Sequence, residues 1–222
     1  LPTATVTVTG WPMTLVAGAC AGVAFVQGDL GSGIVLASIV LAIGVIAGIP
    51  LIHVTAISLL GGALAFAAVL SDSRRFQRLI AFRDIEAHKQ HYGYQSWHGL
   101  VSIANGGLTG SGIGGSNSKR RYLPLAHSDF IFAVIADALG FIGSVAVIGG
   151  FMLLVYLGVE AALAAPDRFG MLLAGGIAAW FGVQAIVNMG GVAGLMPVTG
   201  LTLPFFSAGG TSLCVSMIAA GL

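Results

Sequence analysis

The sequence predicts an all-α membrane protein, a polytopic helix bundle of about six transmembrane helices with one long loop. Three observations carry that class. Of the 222 residues, 57% are hydrophobic and only 8% are charged, where a soluble domain carries about 25% charged residues. Mean hydropathy is +0.98. The charges are also confined: eight of the nine basic residues lie between Arg74 and Arg121. No soluble domain is visible, so residues 1–222 read as a single membrane domain.

A bilayer span needs about 20 apolar residues. Candidates lie near 11–27, 32–52, 55–71, 130–158, 170–196 and 205–222. They are rich in Gly, Ala and Ser, which lets helix backbones approach closely in lipid. Cys20 and Cys214 fall in apolar segments far apart and read as small core residues, not as a disulfide. The chain has no starting Met and stops inside the apolar run MIAAGL, so it is expected to be a fragment of a longer protein. Asp29, in VQGDLGSG between the first two spans, suits the N-terminus of the helix that follows.

The connection 72–129 holds nearly all the polar chemistry. Its first part, SRRFQRLIAFRDIEAHK (73–89), sets Phe76, Leu79, Ile80 and Phe82 among Arg74, Arg75, Arg78 and Arg83. That pattern predicts an amphipathic helix lying on membrane lipid and anchoring the loop. Residues 91–124 are dense in Gly, Ser and Asn, which predicts irregular backbone or short helices. GSGIGG (110–115) has the glycines of a dinucleotide fingerprint, but no strand precedes it, so it reads as a loop allowing close backbone approach. SNSK (116–119) matches Ser-x-x-Lys without a Lys-Thr-Gly partner and is set aside. His53, His88, His91 and His98 show no metal-ligand spacing. His127, Ser128 and Asp129 are sequential neighbours, and a hydrolase triad is a spatial arrangement that adjacency does not supply.

Asp129 and Asp137 stand at the edge of, and inside, the fourth apolar run. An acid within a span costs roughly 2.5–3.5 kcal/mol on insertion scales, so it normally faces a cavity, a pathway or a partner. Eight residues apart on one helix, the two would be separated by about 12 Å and lie within about 80° of one face. Asp129 is the candidate proton acceptor, and Asp137 is expected to support it or hold helices together. Lys119, Arg120 and Arg121 lie just upstream; such cations suit phosphate oxygens or a solvated loop face. The run 188–213 combines paired glycines, Pro197, Pro204, Gly209 and Gly210 with apolar residues throughout. It predicts broken helix and re-entrant backbone, tolerated at membrane depth only under cover of protein or a cavity.

Three stretches resemble one family. YLPLAHSDFIFAVIADALGFIG (122–143), QGDLGSG (27–33) and GLMPVTGLTLPFFSAGGTSL (194–213) are similar to the SEDS proteins (shape, elongation, division and sporulation), which include FtsW and RodA. The family pattern runs roughly Y-L-P-E-A-H-T-D-F-I-F-A-x-x-x-E-E-L-G, and this chain departs from it at Leu125, Ser128, Asp137 and Ala138. The glycine loop, YLPLAHSDF and TGLTLP resemble FtsW more than RodA, although Gly28, Thr199 and Ala208 depart from common division-type residues. The likeness covers nearly the whole chain and implies the last six of about ten spans.

The resemblance implies a multi-pass protein of the bacterial plasma (inner) membrane that polymerises lipid II into glycan strands, with 72–129 as an extracytoplasmic loop. The positive-inside rule would place that basic loop in the cytoplasm; three ordered motifs outweigh it. Asp129 takes the place of the family's essential acid and is expected to act as general base, with inversion at the anomeric carbon. Lys119, with Arg120, Arg121 and His127, is expected to bind the substrate pyrophosphate, and Ser128 and Asp137 to support the base. No cofactor is certain; a divalent cation, Mg or Mn, could share the cationic task. Implied partners are lipid II, a class B penicillin-binding transpeptidase, other division proteins and membrane lipid, with no nucleic acid. Two other functions stay open: a lipid II flippase and a non-catalytic division scaffold that recruits the transpeptidase.

Overall fold

The computed structural model describes residues 30–90, 93–112 and 128–222. All regular structure among them is helical: α1 (Leu30–Ile46), α2 (Leu51–Ser71), α3 (Ser73–Arg83), α4 (Tyr94–Gly106), α5 (Ile131–Ala164), α6 (Arg168–Val192) and α7 (Gly210–Gly221). Among the described residues, α2, α5 and α6 are long and apolar enough to cross a membrane. The expected span 11–27 lies outside the described residues. The expected span 32–52 overlaps α1 and the expected span 205–222 contains α7; both helices are shorter, at 17 and 12 residues.

The helix ends follow from local chemistry. The expected span 32–52 stops at Ile46 because Gly48 turns left-handed, with φ +84°. Ile49 N then donates to Gly44 O at 3.0 Å, a glycine stop that satisfies a terminal carbonyl. Pro50 lacks an N–H and stands just before α2. The hydroxyls on these helices donate to their own backbone, Ser38 to Ile34 O and Ser58 to Val54 O, both at 2.8 Å. These hydroxyls then offer no polar hydrogen to hydrocarbon. Leu59, Leu60 and Leu64 of α2 are exposed, as suits a lipid-facing surface.

The chain divides into two compact units, Leu1–Ser71 with Leu154–Val183, and Asp72–Leu153 with Gln184–Leu222. In the first, small residues set the packing distance. A Cβ at Gly158 would lie 2.8 Å from the Ala178 methyl, and one at Gly182 would lie 3.2 Å from Val155. The turn before α6 is closed by Asp167, whose Oδ2 accepts from Phe169 N at 3.0 Å and Gly170 N at 3.1 Å. Those are otherwise orphaned donors of a helix start.

In the second unit the amphipathic helix expected over 73–89 ends at Arg83. The Asp84 carboxylate accepts from Ala87 N at 3.0 Å, closing a turn in place of another helical turn. The Gly-rich part of the loop contains α4, where Tyr94 and His98 rings lie 4.4 Å apart and Lys89 Nζ sits 5.5 Å over Trp97. Helix α5 is one element broken at Gly140 (φ 68°, ψ −160°). A non-helical residue leaves carbonyls before it and N–H groups after it without helical partners. The segment after α4 supplies both. Ser111 N donates to Asp137 O at 2.9 Å and Gly112 N to Ala138 O at 3.0 Å; Phe141 N donates to Gly107 O at 2.8 Å and Ile142 N to Leu108 O at 3.3 Å. The glycines expected to allow close backbone approach do so at Gly110, where a Cβ would strike Ala138 O; residues 113–115 lie outside the described set. Cys214 is free and exposed, so it is not the core residue expected. Cys20 lies outside the described residues.

Candidate active site

Asp129 does not sit on a helix. It occupies the turn Ser128–Phe130 immediately before α5, so the expected spacing of the two acids along a single helix does not hold. A turn at a helix start is where the backbone is freest to be held by other parts of the chain, and three of its neighbours hold it. The Ser128 carbonyl accepts from Ser207 Oγ at 2.6 Å, and the Asp129 carbonyl accepts from Asn188 Nδ2 at 3.0 Å. Phe130 is 1% exposed, and α4 presses on it so closely that a Cβ at Gly99 would lie 3.0 Å from its ring. The Asp129 side chain is half-buried.

The supporting groups converge from the end of α6 and the connection to α7. Asn188 also donates to Leu201 O at 2.5 Å. Ser207 Oγ accepts from Leu203 N at 2.7 Å. Gln184, one helical turn before Asn188, donates to Thr202 O at 2.8 Å, and Thr202 Oγ1 lies 3.2 Å from Ser212 Oγ. The connection is broken as the sequence predicts, with left-handed backbone at Gly194, Gly200 and Phe205. Its carbonyls and N–H groups are answered by side chains, which is what irregular backbone at membrane depth requires.

A small pocket is lined by Asp129, Val187, Asn188, Gly191, Val192 and Val198–Leu201. At Gly200 (φ +77°) the nearest heavy atom to an added Cβ would be Asp129 Oδ2, at 3.7 Å. A side chain at this position would stand in contact with the carboxylate. Pro197, Pro204, Gly209 and Gly210 do not line this pocket. Pro204 is packed in the core, and Gly209 caps α7. Asp137 lies in the first part of α5, 3% exposed. Its carbonyl takes both the N–H and the Oγ of Ser111, the latter at 3.0 Å, so it sits where the strand of chain after α4 meets the helix break.

Lys119, Arg120, Arg121, His127 and Asp29 lie outside the described residues. Among the described residues no three His, Cys, Asp or Glu side chains gather into a cation-binding group. Sequence reasoning missed Asn188, Ser207 and Gln184. Each is a polar residue in an apolar run, the one signal that could have singled them out.

Comparison with known proteins places this site in a family. Residues 4–222 match the FtsW/RodA/SpoVE family model, described as "Cell cycle protein". The chain is 43% identical over 199 residues to a probable peptidoglycan glycosyltransferase FtsW of Taylorella equigenitalis, covering 87% of this chain and 54% of that protein. It is 40% identical over 215 residues to a probable peptidoglycan glycosyltransferase FtsW of Coxiella burnetii, covering 95% and 57%, and 37% identical over 196 residues to stage V sporulation protein E of Bacillus subtilis, covering 88% and 54%. It thus spans about half the length of the curated relatives it matches. Among solved structures it is similar to a chain of a peptidoglycan synthase complex, with a TM-score of 0.75 and 30% identity over 94% of this chain and 58% of that one. It is also similar to the rod shape determining protein RodA of Thermus thermophilus, with a TM-score of 0.63 and 30% identity, covering 95% and 54%. The apolar helices, the ordered motifs around Asp129 and the match along almost the entire chain agree: this protein is an integral membrane protein belonging to the FtsW/RodA/SpoVE family.

Proposed function

We propose that the whole protein is a peptidoglycan glycosyltransferase that polymerises lipid II at the outer face of the bacterial plasma membrane, and that it serves septal wall synthesis in cell division. The observation that carries this reading is the placement of Asp129: a half-buried carboxylate in a turn that opens a membrane span, beside a pocket, with its main chain held by Asn188. The names of the relatives point to the same activity.

The chemistry needs a base and a place for negative charge. A sugar hydroxyl is a poor nucleophile until its proton is taken. The Asp129 carboxylate accepts that proton as the hydroxyl oxygen attacks the anomeric carbon of the donor sugar. The new C–O bond forms as the bond from that carbon to the lipid pyrophosphate breaks, and the pyrophosphate leaves with the electron pair. Lys119, Arg120 and Arg121 are the groups we assign to its growing charge, with His127 beside them. A single direct displacement inverts the carbon, turning an α-linked donor into a β-linked glycan; a sugar trapped covalently on Asp129 would exclude this course. The transpeptidase partner is assigned as a class B penicillin-binding protein. In the sequence the polar loop and Asp129 directly precede α5, whereas a flippase needs polar groups through the bilayer depth.

The test uses the full-length protein with its transpeptidase partner. Wild type and Asp129→Asn are incubated with lipid II and glycan strands are read on a gel. Polymer from wild type alone establishes the Asp129-dependent polymerase. Polymer from both moves the base elsewhere. No polymer from either, with lipid II still crossing vesicle membranes, establishes the transporter instead.

A further inference from the structure

Asn188 is only 4% exposed, and its amide is half used. Both Nδ2 hydrogens are committed, one to Asp129 O at 3.0 Å and one to Leu201 O at 2.5 Å. That fixes the orientation of the amide: turned round, Oδ1 would face two carbonyl oxygens and neither could donate. Oδ1 is then a buried acceptor with no partner among the described residues. Buried polar atoms in folded proteins are almost always satisfied, and one that is not calls for a water or a ligand. The same residue lines the pocket that holds Asp129, and Gly200 in the same lining has Asp129 Oδ2 as the nearest heavy atom to where a Cβ would stand, at 3.7 Å.

We infer that Asn188 binds ligand in this pocket: Oδ1 accepts a hydrogen bond from a hydroxyl or amide N–H of the saccharide whose attacking hydroxyl Asp129 deprotonates. The inference rests on the reading of Asp129 as the base. A sugar ring carries its donor groups on adjacent carbons. One fixed acceptor beside the base therefore orients the ring as well as holding it. The division of labour lies within one side chain. Nδ2 positions the base through its main chain and the Gly200–Leu201 turn, and Oδ1 takes the neighbouring donor of the substrate. A site built to accept a hydrogen bond discriminates against ligands that cannot donate one, because its buried acceptor is then left unpaired.

The experiment separates the two halves with the full-length protein and fluorescent lipid II as the probe. Asn188→Leu keeps the volume and removes both functions. Steady-state polymerisation gives kcat and KM. Direct binding is measured in the Asp129→Asn background, with and without Asn188→Leu, so that affinity is read without turnover. The expected result is a roughly tenfold loss of affinity on removing Asn188, as for one lost hydrogen bond to a ligand, together with a lower kcat from the loosened turn. Affinity within twofold of the parent, with only kcat reduced, would overturn the inference: Asn188 would then only hold the turn, and Oδ1 would face water. If Asn188→Leu aggregates, Asn188→Ser is read in the same two assays against the same criteria. Polymer made by Asp129→Asn alone would remove the base reading, while the affinity loss on changing Asn188 would still stand as measured.

Discussion

Ser207 Oγ donates to the Ser128 carbonyl at 2.6 Å and accepts from Leu203 N at 2.7 Å. One buried hydroxyl thus ties the residue before Asp129 to the turn that leads into α7. Ser207→Ala removes one hydrogen bond from a carbonyl and one from an N–H, and a buried group left unsatisfied costs on the order of 1–3 kcal/mol where water does not replace the bond. The variant should lower the thermal midpoint of the full-length protein and reduce polymerisation, with lipid II affinity changing less than kcat. A wild-type midpoint together with a wild-type rate would show that the tie does not position Asp129.

Gly140 is the hinge of the broken helix, and its φ of +68° disfavours any side chain. A Cβ there would also meet Leu108 C at 2.6 Å and Gly110 N. Gly140→Ala should therefore displace the segment 107–112 and sharply reduce the yield of folded protein. Gly149→Ala, on the same helix where nothing lies within 4 Å of the added carbon, should be tolerated. Equal stability of the two variants in a thermal unfolding assay would contradict the break as described.

The strap across that break depends on backbone donors more than on side chains. Ser111→Ala loses only the Oγ bond to Asp137 O and keeps the N–H bond at 2.9 Å. Its cost should be about 1 kcal/mol or less. Ser111→Pro removes the N–H itself and should cost clearly more. Hydrogen exchange across 141–142, whose N–H groups bond the same strap, should accelerate in the proline variant and stay near wild type in the alanine one.

Asp137 is more buried than Asp129 yet stands at the helix break and not in the pocket. Asp129→Asn should abolish glycan polymerisation, and Asp137→Asn should reduce it by less. The comparison is made at matched protein levels with lipid II turnover as the readout. Complete loss in both, with both folded, would place Asp137 in the chemistry as well.

Much was legible from residue order. The membrane class, the amphipathic start of the loop and the broken run after Asn188 follow from apolar length, periodicity and glycine and proline content, all of which are local. Asp129 stands out in the sequence because an acid at the edge of an apolar run is costly. The helix stop at Gly48 and Pro50 is local too, and a continuous apolar count across 32–52 overlooks it. The apolar pattern alone sets Asp129 on one helix with Asp137, because composition does not show where a helix begins when the residues before it are held by distant groups.

The sequence by itself determined that this chain lives in a bilayer, which family pattern it carries and which acid stands at the edge of a span. Only the tertiary structure decided what holds that acid. Asn188 and Ser207, which hold the turn of Asp129, and the strap 107–112, which holds the break of α5, are far in the chain from what they hold, and no local pattern links them to it. They are recruited because a turn and a helix break at membrane depth leave carbonyls and N–H groups without water. Whichever polar groups the fold brings near must satisfy them.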